Sequence, residues 1–352
     1  MKAFFSKVKT TTFQQTIICI AAFYVVFLLG WQYTQNYYAE DDFKVLKVEK
    51  SVKRLASNIN VGLHINNFSE FSFYKNKFVM DSIVWFQFET GTESLDDIKK
   101  FSFKSGEFVY KSDPKIKLIK DYTIVSFHVV VKFFTFLNFK HFPVSDHRLN
   151  IVLENRRMTA NEMVFESDKE SFTLSDNLMI TNWSPVETRV SSGYLSADIN
   201  SKHESVGLGY PSTAFTIDFK NVMLRDFIVL YIPLFLLFFI GFMSLVMTYD
   251  KERLMLIATS MPILVLYSLA LDGMSPDFSG ITKVDKTYFL LIFLSIVILA
   301  LQSYVNLKIK QSKIDSTKNE KTLIKKLNKT NNIVMVAVLF ALILGMSYIT
   351  FF

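Results

Sequence analysis

The sequence has little of what an enzyme or a metalloprotein of this length usually shows. Its 352 residues contain a single cysteine, Cys19, so the chain has no internal disulfide and no paired-cysteine metal site. It has no glycine-rich phosphate loop and no HExxH zinc motif. The five histidines are scattered, and a surface or hydrogen-bonded structural role is the simpler interpretation for each: His64, His128, His141, His147 and His203. We therefore predict no enzyme, no catalytic residues, no metal site and no cofactor.

Long apolar runs dominate what is present. Half of the residues are hydrophobic and 36 are phenylalanine, which is more than an ordinary soluble domain contains. A helix needs about 20 residues to cross the hydrocarbon layer, and several runs approach that length. The predicted spans are 13–34, 227–247, 254–272, 286–307 and 332–352. The sequence therefore predicts an integral membrane protein.

Lysines at the ends of these runs predict the orientation. Residues 1–12 carry three lysines and no acidic residue, and the segment 308–331 carries eight lysines. By the positive-inside rule both segments are cytoplasmic, which places residues 35–224 and the C-terminus outside the plasma (inner) membrane. The net charge of +7 follows from this topology and gives no reason to expect nucleic acid.

The first span, 13–34, has two interpretations. A basic start followed by an apolar run is typical of a cleaved signal peptide and of an uncleaved signal anchor. Trp31 and Tyr33 resemble an interfacial aromatic belt, and no small-x-small cleavage site follows them. These residues favour the anchor.

Residues 35–224 are predicted to form an all-β domain. Apolar and polar residues alternate in runs such as 71–89, 122–136, 149–155 and 212–220, which are rich in Val, Ile, Phe and Thr. This period of two predicts antiparallel strands, and about ten such runs suffice for one immunoglobulin-like sandwich. Because Cys19 lies in the first span, the stability of this domain must come from packing.

Several motifs occur in the order found in one family. In FKHFPVSDHRLNIVLE, the residues Phe142, Pro143, Asp146 and Leu149 match a signature loop usually written FPFDxQxLxI, with one extra residue between proline and aspartate. ITNWSPVET, with Trp183, is similar to the tryptophan-bearing strand that follows this loop. The chain thus resembles the pentameric ligand-gated ion channels, the Cys-loop or Pro-loop receptors, and their prokaryotic members in particular.

The C-terminal spans extend this resemblance to a four-helix transmembrane domain, residues 225–352. Arg225 precedes the first of the four helices and Pro233 lies inside it. KERLMLIATS is similar to the start of the pore helix. MSPDFSGITKVDKTYF is similar to the loop that follows, through Pro276 and Asp285. The resemblance covers about residues 45–352.

The resemblance implies that five subunits surround the second channel helix, of which one stripe faces ions. Helical spacing places these residues on such a stripe: Glu252, Met255, Thr259, Pro262 or Ile263, Leu266, and Leu269 or Ala270. Apolar rings would close the pore by dewetting, and a ring of Glu252 carboxylates, with Asp272 at the outer mouth, would favour cations. Lys251 and Arg253 are adjacent, so a shift of one residue would reverse the sign of the lining charge.

Pro262 departs from the family pattern. It stands where relatives usually have a large aliphatic gate residue, and a proline within a helix removes one backbone hydrogen bond. Water in the pore is one partner for the carbonyl that is freed. Either the gate is built differently or this chain conducts poorly.

The resemblance also implies coupling and ligand residues. Coupling would involve Phe142, Pro143, Asp146, Arg225, Pro276 and Asp285, with Arg225 and Asp146 as either a shielded or a solvated ion pair. A ligand would bind between neighbouring sandwich domains, beneath the hairpin 193–211, where the candidates are Trp85, Phe86, Arg156, Arg157, Tyr194 and Tyr210. Arginines favour an anionic ligand and aromatic rings favour an amine, so the ligand stays open.

Two function classes follow from these features. The first is a ligand-gated ion channel subunit, homopentameric in the lipid membrane, that binds a small molecule or ion. The second is a membrane sensor or assembly protein that keeps the channel fold without conducting, which Pro262 favours. A secondary transporter would need more spans and a polar site at the membrane midplane.

Overall fold

A computed structural model describes residues 11–35, 43–46, 56–72, 75–135, 137–159, 161–178, 180, 182–197, 208–222, 224–247, 250–276, 278–314 and 320–352. These residues form two compact units. The β unit is the described part of Asn36–Asn138 and Ser145–Val222, and the helical unit is the described part of Met1–Gln35, Phe139–Val144 and Met223–Phe352. Apart from one or two residues at the boundaries, the division differs from the predicted domains in Phe139–Val144, which was expected in the outer domain.

The described part of the β unit contains eleven strands and one short helix. The strands are β1 Ser57–Ser72, β2 Lys77–Glu89, β3 Ser102–Phe103, β4 Gly106–Lys111, β5 Lys115–Ile119, β6 Tyr122–Phe134, β7 His147–Glu154, β8 Met163–Glu166, β9 Phe172–Leu174, β10 Trp183–Ala197 and β11 Leu208–Asn221. The short helix, α2, is Leu95–Ile98 and lies between β2 and β3.

The strands form two sheets. One has the order β4-β6-β2-β1-β8, with β5 paired to β6 and β9 paired to β1, and the other has the order β10-β11-β7-β3. The expectation of purely antiparallel strands is wrong, because β8 and β9 run parallel to β1. The chain reaches β8 from β7 of the other sheet, so no tight hairpin fixes an antiparallel direction there.

The two sheets share a core of phenylalanine rings. Alternate residues of β6 are buried, as the period of two predicts, and their neighbours are more exposed. Rings of the first sheet lie against rings of the second: Phe68 is 6.4 Å from Phe219, and Phe133 is 5.5 Å from Phe103, between ring centroids. Each such pair contributes about 0.5–1.5 kcal/mol beyond its buried area. Cys19 is the only cysteine, so these rings are the bracing that a disulfide would otherwise supply.

One buried carboxylate joins three strands of the second sheet. Asp218 of β11 accepts hydrogen bonds from Arg148 of β7, from Nε at 2.7 Å and from Nη2 at 3.1 Å. Arg189 of β10 also donates to it. Burial acts to raise the pKa of Asp218, but the hydrogen bonds and charges of the two arginines outweigh it, so the pKa is lowered. The ionised carboxylate therefore stabilises the sheet.

The helical unit contains five long helices within its described residues. They are α1 Thr11–Thr34, α3 Leu224–Phe242, α4 Asp250–Met274, α5 Lys283–Ile314 and α6 Glu320–Phe351, and a 3-10 turn, Met243–Leu245, follows α3. All five are long and apolar enough to cross a membrane. The segment 308–331, which was expected to be a loop, is helical at 308–314 and 320–331. Lys, Leu and Gln favour helix, so α5 and α6 continue past their apolar stretches.

Helix α1 lies along α6, and polar contacts between described residues join them. Gln14 Nε2 donates to Asn332 Oδ1 at 2.7 Å, and Gln32 Nε2 donates to Thr350 Oγ1 at 2.8 Å. Between them, the hydroxyls of Tyr24 and Ser347 are 3.2 Å apart. The contacts occur in the same order along both helices, so the helices run parallel. In membranes each such bond is worth about 0.6 kcal/mol on average.

Replacing Asp218 by asparagine should destabilise the β unit by about 3 kcal/mol at neutral pH, because two arginines lose the charge that they face. Because the folded pKa is lowered, this stabilisation is present above the unfolded pKa of about 3.9 and is lost as pH falls through the folded value. The difference between wild type and Asp218→Asn should therefore shrink in acid. Denaturant unfolding of the purified chain in detergent measures it.

The matched control is Asp113→Asn, which removes an exposed carboxylate between β4 and β5. It should change the free energy of unfolding by less than about 0.5 kcal/mol. A penalty for Asp218→Asn that stays constant from pH 7 to about pH 3 would contradict the assignment of the charge as its cause.

Candidate functional site

Helix α4 lies against α3 through one face only. Its buried side chains include Ile257, Ser260, Leu264 and Leu271. The close approach depends on Gly241 of α3, where an added Cβ would lie 2.6 Å from Ser260 Oγ and 2.7 Å from Ile257 Cδ1. The opposite face of α4 is not covered by any described part of the chain.

The residues that were predicted to line a pore all lie on that uncovered face. Leu269 and Met255 have the largest exposed fractions among them, 69% and 68%. The predicted residues on this face are Glu252, Met255, Thr259, Pro262, Ile263, Leu266 and Leu269, which follow a helical spacing. Ala270 and Asp272 are exposed as well. We name these nine residues, together with Ala258, the α4 face.

The structure places one of the two basic neighbours of Glu252 away from the α4 face. Glu252 is exposed, whereas the next residue, Arg253, is 4% exposed. The Arg253 side chain turns toward the 3-10 turn, where its Nε donates to the carbonyl of Met247. The alternative in which Arg253 lies on the exposed face is therefore wrong, and the side chain of Lys251 lies outside the described residues.

Two prolines, one in α3 and one in α4, each leave a backbone carbonyl without its usual donor. Only the carbonyl in α3 receives a hydrogen bond from a described side chain. Pro233 of α3 cannot donate to the carbonyl of Val229, four residues earlier. The Tyr267 hydroxyl of α4 lies 3.1 Å from this carbonyl and 3.0 Å from that of Leu230. Tyr267 thus supplies from α4 the donor that α3 lacks.

Pro262 of α4 frees the carbonyl of Ala258 in the same way. Ala258 is exposed, as is Pro262, so this carbonyl lies on the α4 face. Among the side chains that the structure describes, none donates to it. The nearby Thr259 hydroxyl bonds to its own helix, at the carbonyls of Met255 and Leu256. The described side chains therefore leave this carbonyl without a donor like the one that Tyr267 gives to Val229.

Replacing Tyr267 by phenylalanine should destabilise the helical unit by about 1 kcal/mol, because the carbonyl freed by Pro233 loses its donor. In a Pro233→Ala background the backbone N–H returns, so the same change should cost much less. Thermal unfolding of all four proteins in detergent gives the double-mutant cycle. Additive effects would contradict the assigned link between Tyr267 and Pro233.

The loop Phe139–Val144, which was predicted to couple ligand binding to the channel, is part of the helical unit. Its Phe139 ring lies 6.2 Å from the ring of Phe278, and its Lys140 carbonyl accepts the backbone N–H of Lys283 at 3.1 Å. Phe142 and Pro143 are buried and are joined by a cis peptide bond. We name Phe139–Val144 the coupling loop. Its coupling role stays a prediction.

His141 of the coupling loop is neutral at physiological pH. Burial, together with the positive charges of Lys283, Lys140 and Lys286, lowers its pKa to about 4. The loop therefore presents lysine charge next to the start of α5, and His141 adds none at neutral pH.

The other predicted coupling residues have defined structural roles. Asp285 and Thr282 form a reciprocal capping box at the start of α5: Thr282 N–H donates to Asp285 Oδ2 at 2.9 Å, and Asp285 N–H donates to Thr282 Oγ1 at 3.2 Å. Pro276 is buried, and Arg225 is exposed near the start of α3. Asp146 Oδ1 accepts the backbone N–H of Asn221 at 2.9 Å. The pairing of Asp146 with Arg225 stays a prediction.

The structure changes the predicted set of ligand residues. Phe86 is 0% exposed and its ring lies among Phe101, Phe127 and Phe165, so it belongs to the core and is wrongly placed in that set. Trp85 points to the other face of β2, where its ring covers Gly62 of β1. Adjacent residues on a strand point to opposite faces, which separates these two rings.

Tyr194 and Tyr210 also separate. Tyr194 pairs with Pro211, and Tyr210 pairs with Leu195, so the two tyrosines project from opposite faces of the β10–β11 ribbon. They do not line the same surface. The hairpin tip, residues 198–207, lies outside the described residues.

The two predicted arginines follow β7 and differ in their partners. Arg156 Nε donates to Glu154 Oε1 at 2.6 Å, and this carboxylate is 4% exposed. The backbone N–H of Arg157 donates to Asn155 Oδ1 at 3.1 Å, and its side chain is exposed. The charge of Arg156 is thus matched within the chain, and Arg157 is the better candidate for an anion.

Sequence reasoning missed a lysine held by aromatic rings. Lys111 Nζ lies 3.7 Å from the ring centroid of Phe101 and 4.8 Å from that of Phe108, and it donates to the carbonyl of Lys99 at 2.6 Å. Burial lowers the pKa of Lys111 to about 8. The alternation along β4 carries no signal for this contact, because Phe101 and the Lys99 carbonyl lie outside that strand.

No protein-family model matches this chain, and no curated protein matches it. The resemblance to the channel family therefore rests on the sequence motifs and their order alone.

Proposed function

We propose that the chain is a subunit of a homopentameric ligand-gated ion channel that passes small cations. The observation that carries this proposal is the α4 face: among mostly apolar exposed side chains it presents the Glu252 carboxylate, the Thr259 hydroxyl and the carbonyl freed by Pro262. The following steps argue from this stripe to a water-filled path.

The exposed face of α3 is what a lipid-facing surface should be. Its large exposed residues are aliphatic: Ile228, Val229, Ile232, Leu236 and Ile240. Its proline-freed carbonyl is satisfied by Tyr267. The aliphatic side chains and the paired carbonyl on this surface need no hydrogen-bond partner from the surrounding hydrocarbon.

The α4 face differs in the feature that matters most in a membrane. A backbone carbonyl without a full set of partners costs several kcal/mol in hydrocarbon, because lipid tails donate no hydrogen bonds. Water does donate them. A water-filled space beside Ala258 and Pro262 is therefore the environment in which this face is least costly.

A single helix cannot enclose such a space, so several copies of α4 have to face one another. The channel family that the motifs resemble arranges five subunits in this way. Exposed Met255, Ile263, Leu266 and Leu269 would form apolar rings that close the path by dewetting. Five Glu252 carboxylates at one end would concentrate cations.

The remaining parts fit the same proposal. The two-sheet β unit would be the extracellular sandwich that binds the ligand, with Trp85, Arg157 and one of the two tyrosines as candidates. The coupling loop connects β6 and β7 covalently to the residues that contact the start of α5. Parallel α1 and α6 begin on the same side of the membrane, which agrees with two lysine-rich cytoplasmic segments.

The alternative function is a membrane sensor that keeps this fold without conducting. Pro262 favours it, because a bend at the position of the gate is unusual for an open path. The two functions differ in whether water reaches the α4 face.

Cysteines introduced on the α4 face should react with a charged, membrane-impermeant thiol reagent. In a Cys19→Ser background, Ala270→Cys, near the outer end of the α4 face, should react at least about tenfold faster than Ile228→Cys near the outer end of α3, because a thiol ionises poorly in hydrocarbon. Labelling is read by mass spectrometry of the protein in liposomes. Equal rates at the two positions would mean that α4 faces lipid, and the proposal would then fail.

Replacing Glu252 by glutamine should lower the cation-to-anion permeability ratio by roughly tenfold, because the charge that concentrates cations is removed. Reversal potentials in asymmetric salt measure the ratio in reconstituted bilayers. Glu107→Gln removes an exposed carboxylate of β4 and should leave the ratio unchanged. A ratio that is the same for Glu252→Gln and wild type would exclude Glu252 as the selectivity residue.

A further inference from the structure

The first helix is connected to the coupling loop by a continuous series of hydrogen bonds. Gln32 of α1 donates from Nε2 to Thr350 Oγ1 of α6 at 2.8 Å. Lys283 of α5 donates from Nζ to the Thr350 carbonyl at 3.1 Å. The backbone N–H of the same lysine donates to the carbonyl of Lys140 in the coupling loop at 3.1 Å.

The three residues of this series that belong to the helices are buried. Gln32 is 0% exposed, and Thr350 and Lys283 are each 2% exposed. A buried hydrogen bond keeps its geometry because water does not compete for its donor or acceptor. The series therefore transmits the position of α1 to the loop better than exposed contacts would.

Thr350 is the element on which the series depends. It lies in the last turn of α6, where carbonyls lack partners within the helix and the end tends to fray. Its hydroxyl donates to the Met346 carbonyl at 2.8 Å and accepts from Gln32, while its carbonyl accepts from Lys283. Gln32 thus holds the end of α6 in place for Lys283.

Lys283 performs the second step with two separate groups. Its ammonium is placed by the end of α6, and its backbone N–H is the first of α5, a position without an intrahelical partner. The Lys140 carbonyl satisfies that N–H. A shift of the α6 end therefore moves the same residue that anchors the coupling loop.

Burying a glutamine at position 32 costs free energy, which its hydrogen bond to Thr350 has to offset. Its Oε1 is buried without a hydrogen-bond partner among the described residues, and a leucine there would avoid that cost. The other face of α1 carries large exposed apolar residues, among them Phe23, Val26 and Phe27, as lipid contact requires. Gln32 is therefore unlike the other described side chains of its helix in being polar and fully buried.

We propose that α1 is a permanent member of the helical unit, and that Gln32, Thr350 and Lys283 are positioning residues through which α1 restrains the coupling loop. Separation of α1 from α6 loosens the loop. This inference goes beyond the proposed channel activity and does not require that the protein conduct ions.

The test is hydrogen exchange of the full-length protein in lipid nanodiscs, read by mass spectrometry on peptides that cover 137–146 and 281–287. Gln32→Leu and Thr350→Val should each speed exchange in both peptides by about threefold, the equivalent of one interhelical hydrogen bond. Thr350→Ser keeps the hydroxyl and should restore the wild-type rate. Gln15→Leu changes an exposed glutamine of the same helix and should have no effect.

Two results would overturn the inference. One is unchanged exchange of both peptides in Gln32→Leu and Thr350→Val. The other is a purified wild-type protein whose intact mass lacks α1. Thr350→Val replaces a hydroxyl by a methyl group of similar size, so it tests the loop even where Gln32→Leu fails to fold. Exchange in β6 is the check on folding, and because no current is measured, failure here is distinct from failure of the channel proposal.

Discussion

Backbone groups among apolar side chains have to find hydrogen-bond partners, and this requirement shapes the helical unit. Where Pro233 removes a donor from α3, a tyrosine of α4 replaces it. Where α5 begins with an N–H that has no partner in its own helix, the coupling loop provides a carbonyl. Where α3 ends, Arg253 donates to the carbonyl of Met247. Each partner comes from another element, so satisfying the backbone also fixes which elements lie side by side.

In the β unit the strands of the two sheets pair their backbone groups with one another. Other interactions hold the sheets together and fix the positions of their strands. Rings from both sheets fill the space between them, and the carboxylate of Asp218 ties β11 to β7 and β10. Burial of the rings stabilises the unit but is not directional, whereas the hydrogen bonds of the Asp218 carboxylate fix the register of three strands. A domain without disulfides gains its uniqueness from the second kind of interaction as much as from the first.

Features that depend on a periodic pattern could be predicted from the sequence, whereas contacts between residues far apart in the sequence could not. Hydropathy was enough to place five apolar helices, and the spacing along α4 was enough to group the residues that the rest of the chain leaves exposed. Alternation along β2 also held the information that Trp85 and Phe86 point to opposite faces, although both were first assigned to one site. The lysines of 308–331 led to the prediction of a loop, whereas residues 308–314 and 320–331 continue two helices. The partners of Val229 and Lys283 come from other helices or loops, which no local pattern reveals.

The parallel contact of α1 with α6 has a consequence for how the chain is made. Gln14 and Asn332 are 318 positions apart in sequence, so a ribosome completes α1 long before α6. Until α6 emerges, α1 lacks the polar partners that α6 supplies. Insertion of α6 is thus the event that pairs Gln14 and Gln32. A chain that stalls before it carries Gln14 and Gln32 unpaired, a polar mark by which quality control can recognise an unfinished product.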